Sequence, residues 1–397
     1  LLLHWAHVAR VLAALAVGTV AALVAAGVVT AGGRGRTVAG TGLLRTGAHL
    51  SSGSGQTRAS LLIVSPSEAA PAARLPGRSL VYFSGTDVNT RWSTGVPYPE
   101  ARRNGWLLTN ASGKLLVNRS YPSDYVGNVG NAGYQRAWVR NVTRFLRTHG
   151  DDGIMIDDVL ADLVPLAGSE ASAYPTQQAW AAAQLSFIRA VGSALRAHGY
   201  YVLASASGYV PGDPGDNDGT TTASWWRKLN PYVSGLMNEY YGEISNGSNR
   251  LRSTGESWMQ NWEGWQRLVR IAQAHGRDFV GLTWGQPGDT RTMIYGKASF
   301  LLDWDGRGGA FVYAPTNNGD AWNGAWTQNL GKPRGRKRAV GGGWLRRYGH
   351  GVVLLNPSPS ADQSFALRGR YVGADGRVVK TATLPPTTGL ILRSVKR

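Results

Sequence analysis

The sequence predicts a (β/α)8 TIM barrel followed by a small all-β, sandwich-like C-terminal domain. Helices that end in a glycine alternate with short apolar strands, and about eight such strands fit within roughly 250 residues, as in known α/β barrels. After Pro315 the helical pattern stops, and short alternating segments separated by turn residues take its place. The chain is therefore expected to be an α/β barrel with a β appendage.

A helix, a glycine and a strand recur in this order three times. The helices end at His149, His198 and His275, and a glycine follows each of them directly. The apolar strands that come next are Gly153–Asp157, Tyr200–Ser205 and Asp278–Trp284. Five further strands are expected at Ser79–Ser84, near Gly105–Leu108, near Tyr125–Val129, at Val233–Glu239 and at Gly309–Ala314. Wholly apolar strands between helices are typical of a parallel sheet that helices cover.

The composition divides the chain into five segments. Residues 1–33 are expected to be a signal peptide or a membrane anchor, because no charged residue lies between Val11 and Gly33. Residues 34–76 are interpreted as a disordered linker, 77–330 as the catalytic barrel, 331–343 as a basic Gly-rich connector and 344–397 as the β domain. The protein is therefore expected to be exported, either secreted or anchored to the outer face of the cytoplasmic membrane.

The composition also excludes several classes of protein. The 397 residues contain no cysteine, which excludes a disulfide scaffold, a thiolate zinc site and a cysteine nucleophile. Lys and Arg number 42 against 24 Asp and Glu, a net charge of +18. This charge fits an anionic cell-envelope polymer as a partner, or it reflects only an arginine-rich composition. Nucleic acid is not favoured, since no helix-turn-helix, RNA-binding or zinc-finger motif accompanies the charge.

Two of the predicted strands end in a carboxylate. Asp157 ends the strand that we count as the fourth, and Glu239 ends the sixth. Active sites of such barrels lie at the carboxyl ends of the strands, and two carboxylates at one cleft are what cleavage of a glycosidic bond requires. We therefore predict that Asp157 and Glu239 are catalytic. The alternative is that both side chains cap helices or pair with arginines.

Other polar and aromatic residues are predicted to bind substrate. Carboxylates bind sugar hydroxyls, and aromatic rings stack on the apolar faces of sugars, which suits a saccharide groove. The candidates are Asp87, Trp92, Asp158, Tyr240 and Trp284. No His-Glu-x-x-His, Gly-x-Ser-x-Gly or phosphate-loop motif is present, so neither a metal nor a cofactor is expected.

Several motifs resemble a known family. The segments are Asn104–Gly113, Tyr125–Trp138 and Gly153–Val159 in the barrel, with Gly351–Pro357 and Leu384–Leu392 in the tail. They resemble a glycoside hydrolase family in the broad group of α-galactosidase-like (β/α)8 barrels, which carry a C-terminal β-sandwich. The resemblance covers roughly residues 79–397.

The resemblance implies roles for particular residues. In that group an aspartate of strand four is the nucleophile and an acid of strand six is the proton donor, which implies Asp157 and Glu239. Asn128 stands where relatives often have an aspartate, and we expect it to contact the substrate. The predicted function is an exported, retaining glycoside hydrolase acting on an extracellular or cell-wall polysaccharide. A carbohydrate-binding pseudoenzyme without turnover and a wall protein held by its basic charge are the alternatives.

Overall fold

The computed structural model describes residues 46–49, 59–93, 95–206, 220–243, 250–255, 261–286, 288–314 and 328–395. The strands up to the end of the barrel are β1 (Thr46–His49), β2 (Leu61–Val64), β3 (Arg78–Ser84), β4 (Asp87–Asn89), β5 (Val117–Asn118), β6 (Tyr121–Val126), β7 (Gly153–Asp157), β8 (Tyr201–Ser205), β9 (Gly235–Asn238), β10 (Asp278–Trp284) and β11 (Ala310–Ala314). The C-terminal strands are β12 (Pro333–Val340), β13 (Gly343–Tyr348), β14 (Gly351–Asn356), β15 (Gln363–Val372), β16 (Val378–Leu384) and β17 (Thr388–Ser394). The helices are α1 (Ala69–Ala72), α2 (Tyr98–Arg103), α3 (Ala132–His149), α4 (Val164–Ala167), α5 (Gln177–Ala197), α6 (Thr220–Leu229), α7 (Trp262–Ala274) and α8 (Thr290–Asp303).

Eight parallel strands close into a barrel, as predicted. Their order around the barrel is β1–β11–β10–β9–β8–β7–β3–β2, and every neighbouring pair is parallel. Apolar side chains from these strands fill the interior, among them Leu80, Met155, Leu203 and Met237. Side chains on the opposite face of the strands, such as Ile154 and Ile156, pack with the helices in a second core. The fold is a (β/α)8 barrel.

The start of the barrel differs from the prediction. Residues 34–76 are not all linker, because β1 and β2 lie within them and pair with β11 and β3. The segment Leu61–Val64 is wholly buried, but it is only four residues long and lies between stretches rich in Gly, Ser, Ala and Pro. Composition averaged over such a region hides one short strand. The barrel therefore begins before residue 77.

Two segments that were predicted as barrel strands lie outside the barrel. Residues 121–126 form β6, which pairs antiparallel with β4 and β5 in a three-stranded sheet. Four of its six residues are not buried, whereas the barrel strands are buried along most of their length. Near residues 105–108 the structure has only an isolated bridge between Leu107 and Gly127. This excursion of the chain, residues 85–131, lies above the carboxyl end of β3.

The C-terminal domain is all-β, as predicted, and forms one six-stranded antiparallel sheet in the order β12–β13–β14–β17–β15–β16. It begins earlier than expected, because most of the predicted connector 331–343 is the edge strand β12. The basic residues of this strand suit an edge, since charge discourages pairing with another chain. Arg346 fixes the sheet to the barrel by donating to the carbonyls of Leu301 (2.9 Å) and Trp304 (2.5 Å).

The predicted signal peptide or membrane anchor, residues 1–33, lies outside the described residues. Within the part of the chain that the structure describes, no helix has the length and apolar character to cross a membrane.

Candidate active site

The barrel interior ends, at its carboxyl side, in a layer of polar side chains. Residues two apart in a strand share a face. On β3, β7, β8 and β9, the apolar interior residue is followed two positions later by a polar one. The four polar residues are Tyr82, Asp157, Ser205 and Glu239. Strand periodicity therefore directs both predicted catalytic carboxylates to the mouth of the barrel.

Hydrogen bonds fix both carboxyl groups. The Oδ2 atom of Asp157 accepts from the Tyr82 hydroxyl (2.8 Å), and Oδ1 accepts from the backbone N–H of Asp158 (2.8 Å). The Ser205 hydroxyl donates to Oε1 of Glu239 (2.6 Å). The carboxyl of Glu239 lies near enough to that of Asp157 for the two side chains to interact. Neutral donors therefore position both acids: the Tyr82 hydroxyl and the Asp158 N–H position Asp157, and the Ser205 hydroxyl positions Glu239.

The environment of Glu239 favours the protonated form of its carboxyl group. Burial raises the pKa of the Glu239 carboxyl well above its usual range, and the charge of Asp157 raises it further. The hydrogen bond from Ser205 acts in the opposite direction but does not reverse the shift. The environment of Glu239 therefore favours its protonated form beside Asp157. A proton donor next to a nucleophile is the pairing that glycoside hydrolysis uses.

Asp158 has a left-handed backbone conformation, with φ of +57°. This region is uncommon for residues other than glycine and costs conformational energy. The carbonyl of Asp158 accepts from the hydroxyl of Thr86 (3.0 Å) and from Nε2 of Gln184 (3.3 Å). Gln184 also donates to the Thr86 hydroxyl (2.7 Å) and is completely buried. These contacts hold the turn that directs the Asp158 N–H at Asp157.

Asp87 and Asp158 form a second pair of carboxyl groups. Asp87 is buried and accepts from Nδ2 of Asn118 (3.1 Å), and its carboxyl lies near enough to that of Asp158 for the two side chains to interact. Burial and the charge of Asp124 raise the pKa of Asp87 to about 7. Burial and the charge of Asp157 raise the pKa of Asp158 as well. The pair therefore retains a proton near neutral pH.

Replacing Asp87 by Asn should stabilise the protein, and more so as the pH rises. An aspartate titrates near pH 3.9 in the unfolded chain but at about pH 7 in the folded one. Between these values the folded state holds a proton that the unfolded state releases, so this group's contribution to stability is lost as the pH rises. We expect the Tm difference between Asp87→Asn and wild type to grow by several degrees from pH 4.5 to pH 8.

The matched control for this experiment is Asp375→Asn, which removes an exposed carboxylate whose partner is Arg377 (3.6 Å). Its Tm difference from wild type should stay nearly constant over the same pH range, because an exposed ion pair contributes little to stability. If the Tm difference between Asp87→Asn and wild type did not change with pH, the pKa of Asp87 would not be raised in the folded protein.

The structure brings five of the predicted site residues together: Asp87, Asp157, Asp158, Glu239 and Tyr240. Tyr240 follows Glu239 directly, and its carbonyl accepts from Nε of Arg252 (2.7 Å). Burial, and then the charges of Glu239 and Asp157, raise the pKa of the Tyr240 hydroxyl. Asp158, Glu239 and Tyr240 are half-buried, so a ligand can reach them from the mouth of the barrel.

Three predicted residues are not placed against these carboxylates by any contact among the described residues. Trp92 is 52% exposed, and its backbone N–H donates to Asn89 (3.1 Å). The side-chain oxygen of Asn128 accepts from the Tyr174 hydroxyl (2.5 Å). Trp284 ends β10, but its side chain lies outside what the structure describes. Their predicted contact with substrate stays a prediction.

Several residues around the acids were not anticipated from the sequence. Tyr82 and Ser205 could have been found by continuing the two-residue period from the interior residues of β3 and β8. Tyr121 begins β6, and burial together with the charges of Asp158 and Asp157 raises its pKa. No local sequence signal identifies Gln184, which reaches the site from the middle of α5.

The arrangement is suited to acid–base and nucleophilic chemistry by carboxyl groups. Among the residues that the structure describes, no three His, Asp or Glu side chains are grouped so that they could hold a metal ion. The model of Hypothetical glycosyl hydrolase family 15 matches residues 83–352, about two thirds of the chain. The chain belongs to this family. It is a glycoside hydrolase, and the matched segment contains both Asp157 and Glu239.

Three solved structures are examples of those similar to this chain. A maltogenic α-amylase, AmyB from Thermotoga neapolitana, has a TM-score of 0.49 at 11% identity, over 86% of this chain and 92% of the other. Ega3 from Aspergillus fumigatus, in complex with galactosamine, has a TM-score of 0.43 at 12% identity, over 70% of this chain and 93% of the other. The glycoside hydrolase domain of PelA from Pseudomonas aeruginosa has a TM-score of 0.42 at 14% identity, over 68% of this chain and 95% of the other. A search of curated protein sequences found no match.

Proposed function

We propose that this glycoside hydrolase acts by double displacement, with Asp157 as the nucleophile and Glu239 as the acid and base. The observation that carries the proposal is the close approach of the two carboxyl groups at the carboxyl ends of β7 and β9. Inverting enzymes keep their carboxyls about 6.5–9.5 Å apart to admit a water molecule, whereas retaining enzymes hold them at about 5–5.5 Å. Two carboxyls that can reach each other leave no room for that water, which supports retention.

Each neighbour has a role in this reaction. The Glu239 proton goes to the leaving oxygen while Asp157 attacks the anomeric carbon, so a glycosyl ester forms and the glycosidic bond breaks. Glu239, now ionised, then takes a proton from the water that hydrolyses the ester. Tyr82 and the Asp158 N–H direct the nucleophile by their hydrogen bonds, and Ser205 directs Glu239. The burial that raises the pKa of Glu239 keeps the proton available.

The proposed substrate is a polysaccharide of the cell wall or the extracellular space, and the proposed subgroup is the α-galactosidase-like barrels. Asp87, Asp158 and Tyr240 lie near the two proposed catalytic carboxyls, which supports a role for them in binding sugar hydroxyls. Trp92 offers an exposed ring on the same excursion of the chain as Asp87. Asn128 and Trp284 are proposed as further contacts.

Export and attachment are part of the same proposal. The uncharged segment from Val11 to Gly33 supports a secreted protein or one that is held at the outer face of the membrane. If this segment is not cleaved, the membrane is a partner of the protein. The net charge of +18 supports attraction to an anionic polymer of the envelope.

The proposed activity can be tested with a panel of envelope and plant polysaccharides. We expect the protein to release new reducing ends from at least one of them, and Asp157→Asn to release none above background. Binding to a polysaccharide without release of reducing ends would instead identify a carbohydrate-binding pseudoenzyme.

A further inference from the structure

The neighbouring helices α3 and α5 carry an unusual one-sided charge. Together they contain six arginines and no acidic residue. The four arginines of α3 are Arg136, Arg140, Arg144 and Arg147. Their spacing of four, four and three residues places them along one face of the helix, and all four are exposed. At 1.5 Å per residue this row is about 16 Å long.

A groove runs beside this row of arginines. It has a volume of about 450 Å³ and is lined by Arg140, Arg144, Arg147, Thr143 and His198, among others. His198 directly follows α5, so the groove lies between the two helices. We call it the α3 groove. Its residues belong to the second half of α3, towards the amino ends of the barrel strands and away from the catalytic layer at their carboxyl ends.

Two of the three arginines that line the groove have no hydrogen-bond or ion-pair partner among the described residues. Arg140 pairs with Glu100 (2.6 Å). Within the described ranges, Arg144 and Arg147 make neither a hydrogen bond nor an ion pair through their guanidinium groups. The hydroxyl of Thr143, which is buried, has no hydrogen-bond partner either. The groove therefore presents two exposed guanidinium groups, those of Arg144 and Arg147, whose positive charge no described protein group neutralises.

Two simpler explanations do not account for the row of arginines. One is stabilisation of the helix through its dipole, and the other is neutralisation by nearby acidic residues. Cations in the last turn of a helix stabilise it through the helix dipole, which explains Arg147 but not Arg136, near the start of α3. The acids that follow the helix, Asp151 and Asp152, form no ion pair with its arginines among the described residues. Asp152 accepts from the backbone N–H of Ser79 (3.0 Å), and burial raises the pKa of Asp151 to about 6.

We infer that the α3 groove binds a linear anionic polymer with phosphodiester groups along its backbone. Guanidinium groups bind phosphate oxygens in a bidentate manner, and a row of them suits a chain of regularly spaced anions. Single-stranded nucleic acid also has this backbone, but its bases stack on aromatic rings, and the groove is lined by arginine, threonine and valine with the single ring of His198. The proposed occupant is therefore a phosphodiester polymer other than nucleic acid, and its place in the cell envelope rests on the proposed export.

Binding of poly(glycerol phosphate) to the full chain tests this inference. The variant Arg144→Glu/Arg147→Glu changes the groove, and Arg334→Glu/Arg336→Glu changes the net charge equally on the exposed edge strand β12. We expect the groove variant to bind at least about tenfold more weakly and the β12 variant to lose less than about threefold. The dependence of log K on log salt should become shallower by about two in the groove variant only.

Three outcomes would overturn the inference. These are an equal loss of affinity in both variants, an unchanged affinity in the groove variant, or binding of polygalacturonate or poly(dT) by the wild type as tightly as poly(glycerol phosphate). If the groove variant does not fold, Arg144→Gln/Arg147→Gln replaces it, with an expected loss of about threefold or more against no loss in Arg334→Gln/Arg336→Gln. Catalysis does not enter any of these measurements, so they stand apart from the proposed hydrolysis.

Discussion

Asp157→Asn is expected to lower kcat/KM by about 10⁴-fold or more while the protein stays folded. An amide keeps the size of the side chain and can still accept the hydrogen bond from the Asp158 N–H, but it cannot form the glycosyl ester. Both half-reactions therefore fail, whatever the leaving group. Steady-state kinetics on the best substrate of the panel, with a melting curve of each preparation, measure the effect.

Asp278→Asn is the matched control for this variant. The Asp278 carboxylate accepts from the hydroxyl of Tyr201 (2.7 Å), as Asp157 accepts from Tyr82 (2.8 Å), but Asp278 begins β10 and so lies at the opposite end of the barrel. If Asp157 served only stability, the two substitutions would lower Tm similarly and would reduce activity only in proportion to unfolding. Full activity in well-folded Asp157→Asn would end the assignment of the nucleophile.

Glu239→Gln should have an effect that depends on the leaving group. A glutamine cannot donate the proton, so cleavage of a natural glycoside, whose leaving oxygen is basic, should fall by about 10²- to 10⁴-fold. Nitrophenyl glycosides need little protonation, and their first step should be nearly unaffected. The contrast between the two substrates, measured as kcat/KM, is the diagnostic result.

The second step of the same variant provides an internal check. Hydrolysis of the glycosyl ester needs Glu239 as a base, so it should be slow in Glu239→Gln. Azide is an anionic nucleophile that needs no base, so it should accelerate turnover and give a glycosyl azide. Equal losses on all substrates, without rescue by azide, would mean that Glu239 is not the proton donor.

The barrel could be predicted from the sequence because its signals are local. Glycines after the helix ends and wholly apolar strands such as Gly153–Asp157 identified the later strands correctly. Two true strands, β1 and β2, were missed, and two segments of the excursion were counted in their place. These errors cancel in the count, so Asp157 still ends the fourth strand and Glu239 still follows the sixth. The start of the barrel depends on the pairing of β1 with β11 and of β2 with β3, and composition carries no information about such long-range pairing.

The environment of the acids could be predicted only in part. The strand ends indicated Asp157 and Glu239, because the polar residue after an apolar strand is visible in the sequence. The turn at Asp158 could not be predicted, since Thr86 and Gln184 stabilise it from 72 and 26 residues away in sequence. The raised pKa of Glu239 also depends on burial and on a neighbour from another strand, and neither is encoded locally.

The most direct test of the two-carboxylate mechanism is the mass of the glycosylated protein. Glu239→Gln incubated with activated dinitrophenyl glycosides should accumulate one covalent glycosyl group, because its first step is fast and its second is slow. Peptide mapping should place that group on Asp157. Release of dinitrophenol by repeated turnover with no adduct, or an adduct on Asp158 instead, would contradict the proposed mechanism.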